Sequence, residues 1–174
     1  MEENENHVKV VFLGESDVGK TSLINRFVRG DFLDNETTGA SYASKIINCE
    51  GTDYHFDIWD TSGREKYRAL TKFFVIDAKI IVLVYDITKK KSFLELEFWL
   101  DTILDRLGNK VFLILVGNKA ELYENEEIRE EDGKKFAKII NAKFALVTAK
   151  EDGPYWNNFL ENALKDYIKI TKNK

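Results

Sequence analysis

One stretch near the amino terminus limits the folds open to this chain. Val8-Lys9-Val10-Val11-Phe12-Leu13 reads as an apolar strand, Gly14-Glu15-Ser16-Asp17-Val18-Gly19-Lys20-Thr21 as a loop, and Ser22 to Phe27 as a helical pattern. The loop is spelled G-x-x-x-x-G-K-[ST], and a strand before it and a helix after it are the context in which that spelling holds phosphate. Its glycines let the backbone wind around an anion with N–H groups turned inward, and the helix opening at Gly19 adds the positive end of its dipole. Lys20 can then reach the β- and γ-phosphates as a point charge. The Thr21 hydroxyl is placed to ligate a magnesium ion bridging them. Candidate nucleotide contacts therefore run through Gly14, Glu15, Ser16, Asp17, Val18, Gly19, Lys20, Thr21 and Ser22.

With 174 residues and 44% hydrophobic content, the chain suits one domain with an ordinary core. The expected division is a flexible segment 1–6, a folded domain 7–171 and a tail 172–174. The net charge of −4 mixes both signs along the chain, so no dense basic face for nucleic acid is expected. Cys49 is the only cysteine, which excludes an intramolecular disulfide and points to a reducing compartment. No segment has the layout of a signal peptide, and the longest apolar run, Ile80 to Tyr85, is too short to span a bilayer. Residue 2 is Glu and the last five residues lack cysteine, so neither myristoylation nor prenylation of this chain is expected. A cytoplasmic protein follows, reaching intracellular membranes only through partners or a missing segment. Whether the chain is part of something longer or works unlipidated stays open.

Beyond the first helix, Gly30 and Asp31 mark its end, and Leu33 to Gly39 reads as an exposed polar loop. Tyr42 to Cys49 and Tyr54 to Trp59 are rich in β-formers and flank a hairpin turn, Glu50-Gly51-Thr52-Asp53. Asp60-Thr61-Ser62-Gly63 is expected to break the second strand and open an irregular segment before Ala78. Lys79 to Tyr85 reads as a central strand covered on both faces. A helix over Ser92 to Leu107, a strand over Val111 to Val116, a helix over Glu130 to Ile140, a strand over Lys143 to Val147 and a helix from Pro154 to about Ile170 complete the order. This alternation predicts an α/β fold with a six-stranded, mostly parallel sheet, one antiparallel strand and about five flanking helices. Ligands in such sheets sit beyond the carboxyl ends of the strands. Gly14 to Lys20, Asp60 to Gly63, Asn118 to Glu121 and Thr148 to Lys150 all leave strands at that end.

Four stretches in fixed order resemble the Ras superfamily of small GTPases, and in detail its Rab branch. Besides Gly14 to Thr21, they are Asp57-Ile58-Trp59-Asp60-Thr61-Ser62-Gly63-Arg64-Glu65-Lys66-Tyr67, Gly117-Asn118-Lys119-Ala120-Glu121 and Thr148-Ala149-Lys150, while Val84-Tyr85-Asp86-Ile87-Thr88 with Ser92-Phe93 resembles the strand and helix start between them. The resemblance implies a P-loop G domain that binds GTP or GDP with magnesium, held by Thr21, Asp60 and a switch I threonine. Thr37 fits the family spacing to Asp60, with Thr38 the competing candidate. It further implies that the Gly63 amide senses the γ-phosphate and that Asn118, Lys119, Glu121, Thr148, Ala149 and Lys150 surround the base, Ala149 through its backbone N–H. Phe32 falls where an aromatic approaches the purine, although the stretch from Phe32 to Thr37 is about two residues shorter than usual. Tyr42, Trp59 and Phe74 fall where Rabs present an aromatic triad to effectors; packing between the switches is the equal alternative. Exchange factors and activating proteins would act through the same switches.

Two departures from the family bear on chemistry. Lys20, Gly63 and Arg64 are the candidate catalytic residues, but Arg64 stands in place of the glutamine that orients the attacking water. A guanidinium only donates, whereas an amide both donates and accepts, so slow hydrolysis is expected. The opposing reading makes Arg64 an arginine finger in cis. Glu121 replaces the aspartate that pairs with the guanine edge, keeping the carboxylate but adding a methylene, which predicts weaker preference for guanine. Hence a cycling switch in membrane traffic is weighed against a degenerate nucleotide-binding module. A P-loop kinase of small molecules is disfavoured by the Asn118-Lys119 and Asp60-Gly63 elements.

Overall fold

The protein is described here by a computed structural model covering residues 6–32, 37–151 and 154–173. In chain order its elements are β1 (His7–Leu13), α1 (Lys20–Arg29), β2 (Ala40–Cys49), β3 (Thr52–Thr61), α2 (Arg68–Phe74), β4 (Ile80–Asp86), α3 (Lys90–Leu94) and α4 (Leu96–Leu107). These are followed by β5 (Phe112–Asn118), α5 (Glu130–Ile139), β6 (Lys143–Leu146) and α6 (Pro154–Lys172).

Side chains of β1 alternate between two cores because successive residues of a strand point to opposite faces. Val8, Val10 and Phe12 join Leu23 and Phe27 of α1 and Trp156, Leu160 and Leu164 of α6 on one face. Val11 and Leu13 join Trp99 and Ile103 of α4 and Ala137 of α5 on the other. Every residue of β4 is buried, as a central strand covered by helices on both sides requires. The six strands run in the order β2-β3-β1-β4-β5-β6, with only the β2–β3 pairing antiparallel. The carboxyl ends of β1, β3, β4, β5 and β6 therefore share one rim. Among the described residues, no helix is long and apolar enough to cross a membrane.

Three local expectations are corrected. The hairpin turn is Glu50-Gly51 alone, with φ of 55° and 83°, the left-handed pair whose twist matches the strands it joins. Thr52 and Asp53 belong to β3, opposite Cys49 and Asn48. Likewise β3 does not break at Asp60: Asp60 and Thr61 still pair with Ser41 and Ala40, and the Thr61 hydroxyl donates to the Phe12 carbonyl at 2.6 Å. The segment read as irregular contains a 3-10 turn over Glu65–Tyr67 and then α2. That helix buries Thr71 while Leu70 and Phe73 face solvent, so no core-facing apolar stripe marks it.

Six α-helices are found among the described residues rather than about five. The expected Ser92–Leu107 helix is divided at Glu95 into α3 and α4, yet Glu95 keeps right-handed φ/ψ of −67° and −8° and its N–H still donates to Lys91 O. The helix α6 continues to Lys172, two residues beyond the expected end. Of the polar loop expected over 33–39, residues 33–36 lie outside the described residues, as do residues 1–5 of the expected flexible segment and residue 174 of the expected tail.

Candidate functional site

At the rim, the loop after β1 and the start of α1 form the floor of a cavity of about 530 Å³. Gly19 adopts φ 96°, and a Cβ there would run into the Asn118 side-chain amide; glycine is thus required both by the backbone conformation and by the close packing of β5's end. Lys20 is buried in the loop, its Nζ donating to Gly14 O at 2.9 Å and Glu15 O at 2.7 Å. Burial pulls its pKa down to about 8, against the opposing pull of Asp60, Glu15 and Asp17. An anion in the cavity would supply a charge partner and favour the protonated form.

Beside Lys20, three oxygen side chains from three segments converge. Thr21 Oγ1 lies 2.5 Å from Thr37 Oγ1 and donates to Asp60 Oδ2 at 2.5 Å, while Thr37 Oγ1 donates to the same Oδ2 at 3.0 Å. Thr37, not Thr38, occupies this corner. Burial raises the Asp60 pKa against the lowering effects of Thr21, Lys20 and Thr37. Asp60 Oδ1 is buried without a hydrogen-bond partner among the described residues. Two hydroxyls and one carboxylate fit magnesium, which takes few protein oxygens and completes its shell with water and substrate phosphate. Among the described residues no group of three or more His, Cys, Asp or Glu side chains forms an all-protein cage.

The other end of the cavity is built by the loops after β5 and β6. Asn118 Nδ2 donates to Val18 O at 2.9 Å, tying the β5 end to the phosphate loop. The Ala149 N–H, expected to face a base oxygen, here donates to Asn118 Oδ1 at 3.2 Å. Lys119 holds left-handed φ 67°, and its Nζ bridges Asp17 O and the Asp86 carboxylate, each at 2.7 Å. Glu121 lines the cavity with Oε2 buried and unpartnered among the described residues. Phe32 and Lys150 complete this part of the wall.

Beneath it, Arg26 of α1 is buried and donates to Ala149 O and Lys150 O at 3.1 Å and to Gly30 O at 3.0 Å. It carries the position of the base-side loop from the same helix that presents Lys20 and Thr21.

The loop after β3 closes the phosphate side. A Cβ on Gly63 would collide with the backbone of Glu15 and Ser16, so only glycine lets this loop lie directly on the phosphate loop. Arg64 follows with its N–H donating to Ser62 Oγ at 3.4 Å, but among the described residues it does not line the cavity. Glu15 likewise turns its carboxylate away, to Arg68 at 2.5 Å; Arg68 also meets Glu95 at 2.9 Å and lies over the Phe98 ring at 4.6 Å. Of the other expected contacts, Ser16, Asp17, Thr21 and Ser22 line the cavity, whereas Gly14, Val18 and Thr148 do not; the Thr148 hydroxyl accepts from the Glu151 N–H at 3.3 Å. Lys89, Thr61 and Ser62 line it without having been expected there. Arg26, Arg68 and Lys89 carried no local signal beyond a run of lysines at 89–91, and Asp86, although within the stretch Val84 to Thr88 that resembles the family, gave no sign of its partner, because what they touch depends on how the strands are ordered.

Tyr42, Trp59 and Phe74 form a continuous aromatic group, with Tyr42–Trp59 and Trp59–Phe74 centroid distances of 5.4 Å. Packing and exposure coincide here: Tyr42 is 55% exposed, and Phe73 and Leu70 extend the apolar surface.

A family model described as Ras family matches residues 9–168. The chain is 37% identical over 155 residues to the Ras-related protein RabJ of Dictyostelium discoideum, across 88% of this chain and 60% of that protein. It thus spans less than two thirds of that relative's length.

Proposed function

This chain belongs to the Ras family and is Rab-like, and from that premise we propose that it is a GDP/GTP switch of vesicular membrane traffic with slow intrinsic hydrolysis. The observation that supports this most strongly is that one cavity joins an oxygen-rich corner made by Thr21, Thr37 and Asp60 to a base end made by Asn118 and Glu121. Lys20 and the loop N–H groups would hold the β- and γ-phosphates, and the Gly63 N–H would answer to the γ-phosphate. Magnesium bound by Thr21, Thr37 and Asp60 would neutralise charge between the two phosphates. Because Thr37 and Gly63 lie on the two loops that line this end, loss of the terminal phosphate would release both and change the surface carrying Tyr42, Trp59 and Phe74. Effectors, an exchange factor and an activating protein would read or act on that surface, from the cytoplasm or at an intracellular membrane.

Extraction under native conditions, followed by identification of the bound nucleotide, tests the reading. Copurifying GDP or GTP, retained only with magnesium, is expected; absence of uptake of either by purified protein refutes it.

Slow hydrolysis rests on Arg64, which donates but cannot accept from the attacking water. In single-turnover assays Arg64→Gln should be faster than wild type by at least about tenfold. Equal rates would remove the water-orienting argument, and a slower variant would favour a finger in cis. Glu121 would read guanine less strictly than an aspartate, so Glu121→Asp should widen the ratio of GDP to ADP affinity. Arg64 and Glu121 together also support a second reading, a guanine-nucleotide-binding module that does not cycle. Turnover that stays absent with every candidate activator would favour it.

A further inference from the structure

The connection from β4 to α3 is the short loop Ile87-Thr88-Lys89, followed by Lys90 and Lys91 in the first turn of α3, and its backbone is firmly held. The Lys89 N–H donates to Asp86 O at 3.0 Å, its carbonyl accepts from Ser92 N at 2.9 Å and from Ser92 Oγ at 2.7 Å, and the Lys90 N–H donates to Glu127 Oε2 at 2.6 Å. The Lys89 side chain, by contrast, is exposed, lines the nucleotide cavity, and has no hydrogen-bond or ion-pair partner among the described residues.

Its place along the cavity follows from the neighbouring contacts. The Lys119 ammonium lies between the Asp86 carboxylate and the Asp17 carbonyl, so the exit of β4 is held against the phosphate loop at Asp17. The preceding residue, Ser16, is part of the backbone on which Gly63 rests. Lys89 thus lines the same cavity as Ser16 and Asp17 of the phosphate loop and Gly63 of the loop after β3. Of the other lysines lining the cavity, Lys20 is engaged with two carbonyls and Lys119 with Asp86 and Asp17.

We propose that Lys89 is a further nucleotide-binding residue, an ammonium that this chain supplies in cis to the terminal phosphate of a bound nucleoside triphosphate. The proposal rests on the guanine-nucleotide reading above. A lysine on a flexible stem, not committed to another anion, can turn to a phosphate without breaking an existing pair. The attraction is larger for a triphosphate because it carries more negative charge than a diphosphate. Lys89 thus biases the protein toward the triphosphate state independently of the water-positioning step.

The test compares dissociation constants of fluorescent GDP and a non-hydrolysable fluorescent GTP analogue, with magnesium, for wild type, Lys89→Gln and Lys89→Arg. Lys89→Gln should weaken the triphosphate by about three- to tenfold and the diphosphate by less than about twofold, with Lys89→Arg close to wild type. Raising the salt concentration should narrow the difference between wild type and Lys89→Gln. Equal weakening for both nucleotides, no weakening, or the same loss in Lys89→Arg would overturn the assignment. Wild type that binds neither nucleotide would overturn the guanine-nucleotide reading and this assignment with it. Wild type that binds both while Lys89→Gln is unchanged overturns the role of Lys89 alone.

Discussion

Asp86 joins two loops through a single carboxylate. Its Oδ2 pairs with Lys119 at 2.7 Å, while Oδ1 accepts from the Thr88 N–H at 2.8 Å and the Thr88 hydroxyl at 2.7 Å. Burial works to raise its pKa, but the contacts from Lys119 and Thr88 prevail and hold it below the ordinary carboxylate value. A depressed folded pKa means stabilisation that is complete above the unfolded value of about 3.9 and is lost as pH falls through the folded value. Asp86→Asn should therefore cost about 2 kcal/mol near neutral pH, because it leaves Lys119 without its buried counter-charge. Urea unfolding of both proteins across pH should show that difference shrinking in strong acid. A difference that stays constant down to the lowest accessible pH would mean the charge of Asp86 is not what stabilises the loop. Asn118 works on the same scale with neutral chemistry, one amide reaching Val18 and receiving Ala149. The Asn118-Lys119 spelling marked Asn118 as a candidate beside the base, but neither these two contacts nor the Asp86 partner of Lys119 could be read from it, since Val18, Ala149 and Asp86 lie on other segments.

Among the elements, α2 is secured differently from the long helices. The buried helices α4 and α6 present Trp99 and Ile103, or Leu160 and Leu164, to a core, but α2 buries only Thr71. Its attachment comes through Phe74, which packs on Trp59 at 5.4 Å between ring centroids, and through Arg68, which meets Glu15 and Glu95 and lies over Phe98 and Trp99 at 4.6 and 5.8 Å. Elements held by a few polar contacts open at lower cost than those packed in a core, as a segment that must respond to a phosphate requires. Arg68→Ala should cost about 1–2 kcal/mol and speed hydrogen exchange across Arg68–Phe74, with β4 and α6 unaffected. Unchanged exchange in that helix would show that Arg68 does not hold it. The same contacts explain why α2 escapes a periodicity search: it is held by one cation reaching two other segments and by one ring on Trp59, while Leu70 and Phe73 stay outside.

Across the whole molecule, stability comes from two cores separated by one sheet, while the rim adds the ligand's share. Leu164→Ala, at a fully buried position of α6 in the core shared with α1, should lower unfolding free energy by about 2–5 kcal/mol in urea titrations. Ile139→Ala, at a largely exposed position of α5, should change it by no more than about 0.5 kcal/mol. Added GDP with magnesium at about a hundred times its dissociation constant should stabilise the fold by roughly 2.7 kcal/mol, read as a rise in melting temperature that ADP does not match. Much of this architecture was written locally. The unbroken apolar run of β4 reads as a strand covered on both faces, and the glycines and Lys20-Thr21 after β1 read as the strand-to-helix loop that lines the cavity, because backbone conformation and side-chain chemistry act over a few neighbouring residues. The strand order β2-β3-β1-β4-β5-β6, the attachment of α2 by Arg68, the Asp86–Lys119 tie and the opening of Lys89 into the cavity were settled only by folding. Each depends on residues far apart in the chain being brought within a few ångströms, and no local pattern records which distant segment a charged side chain will meet.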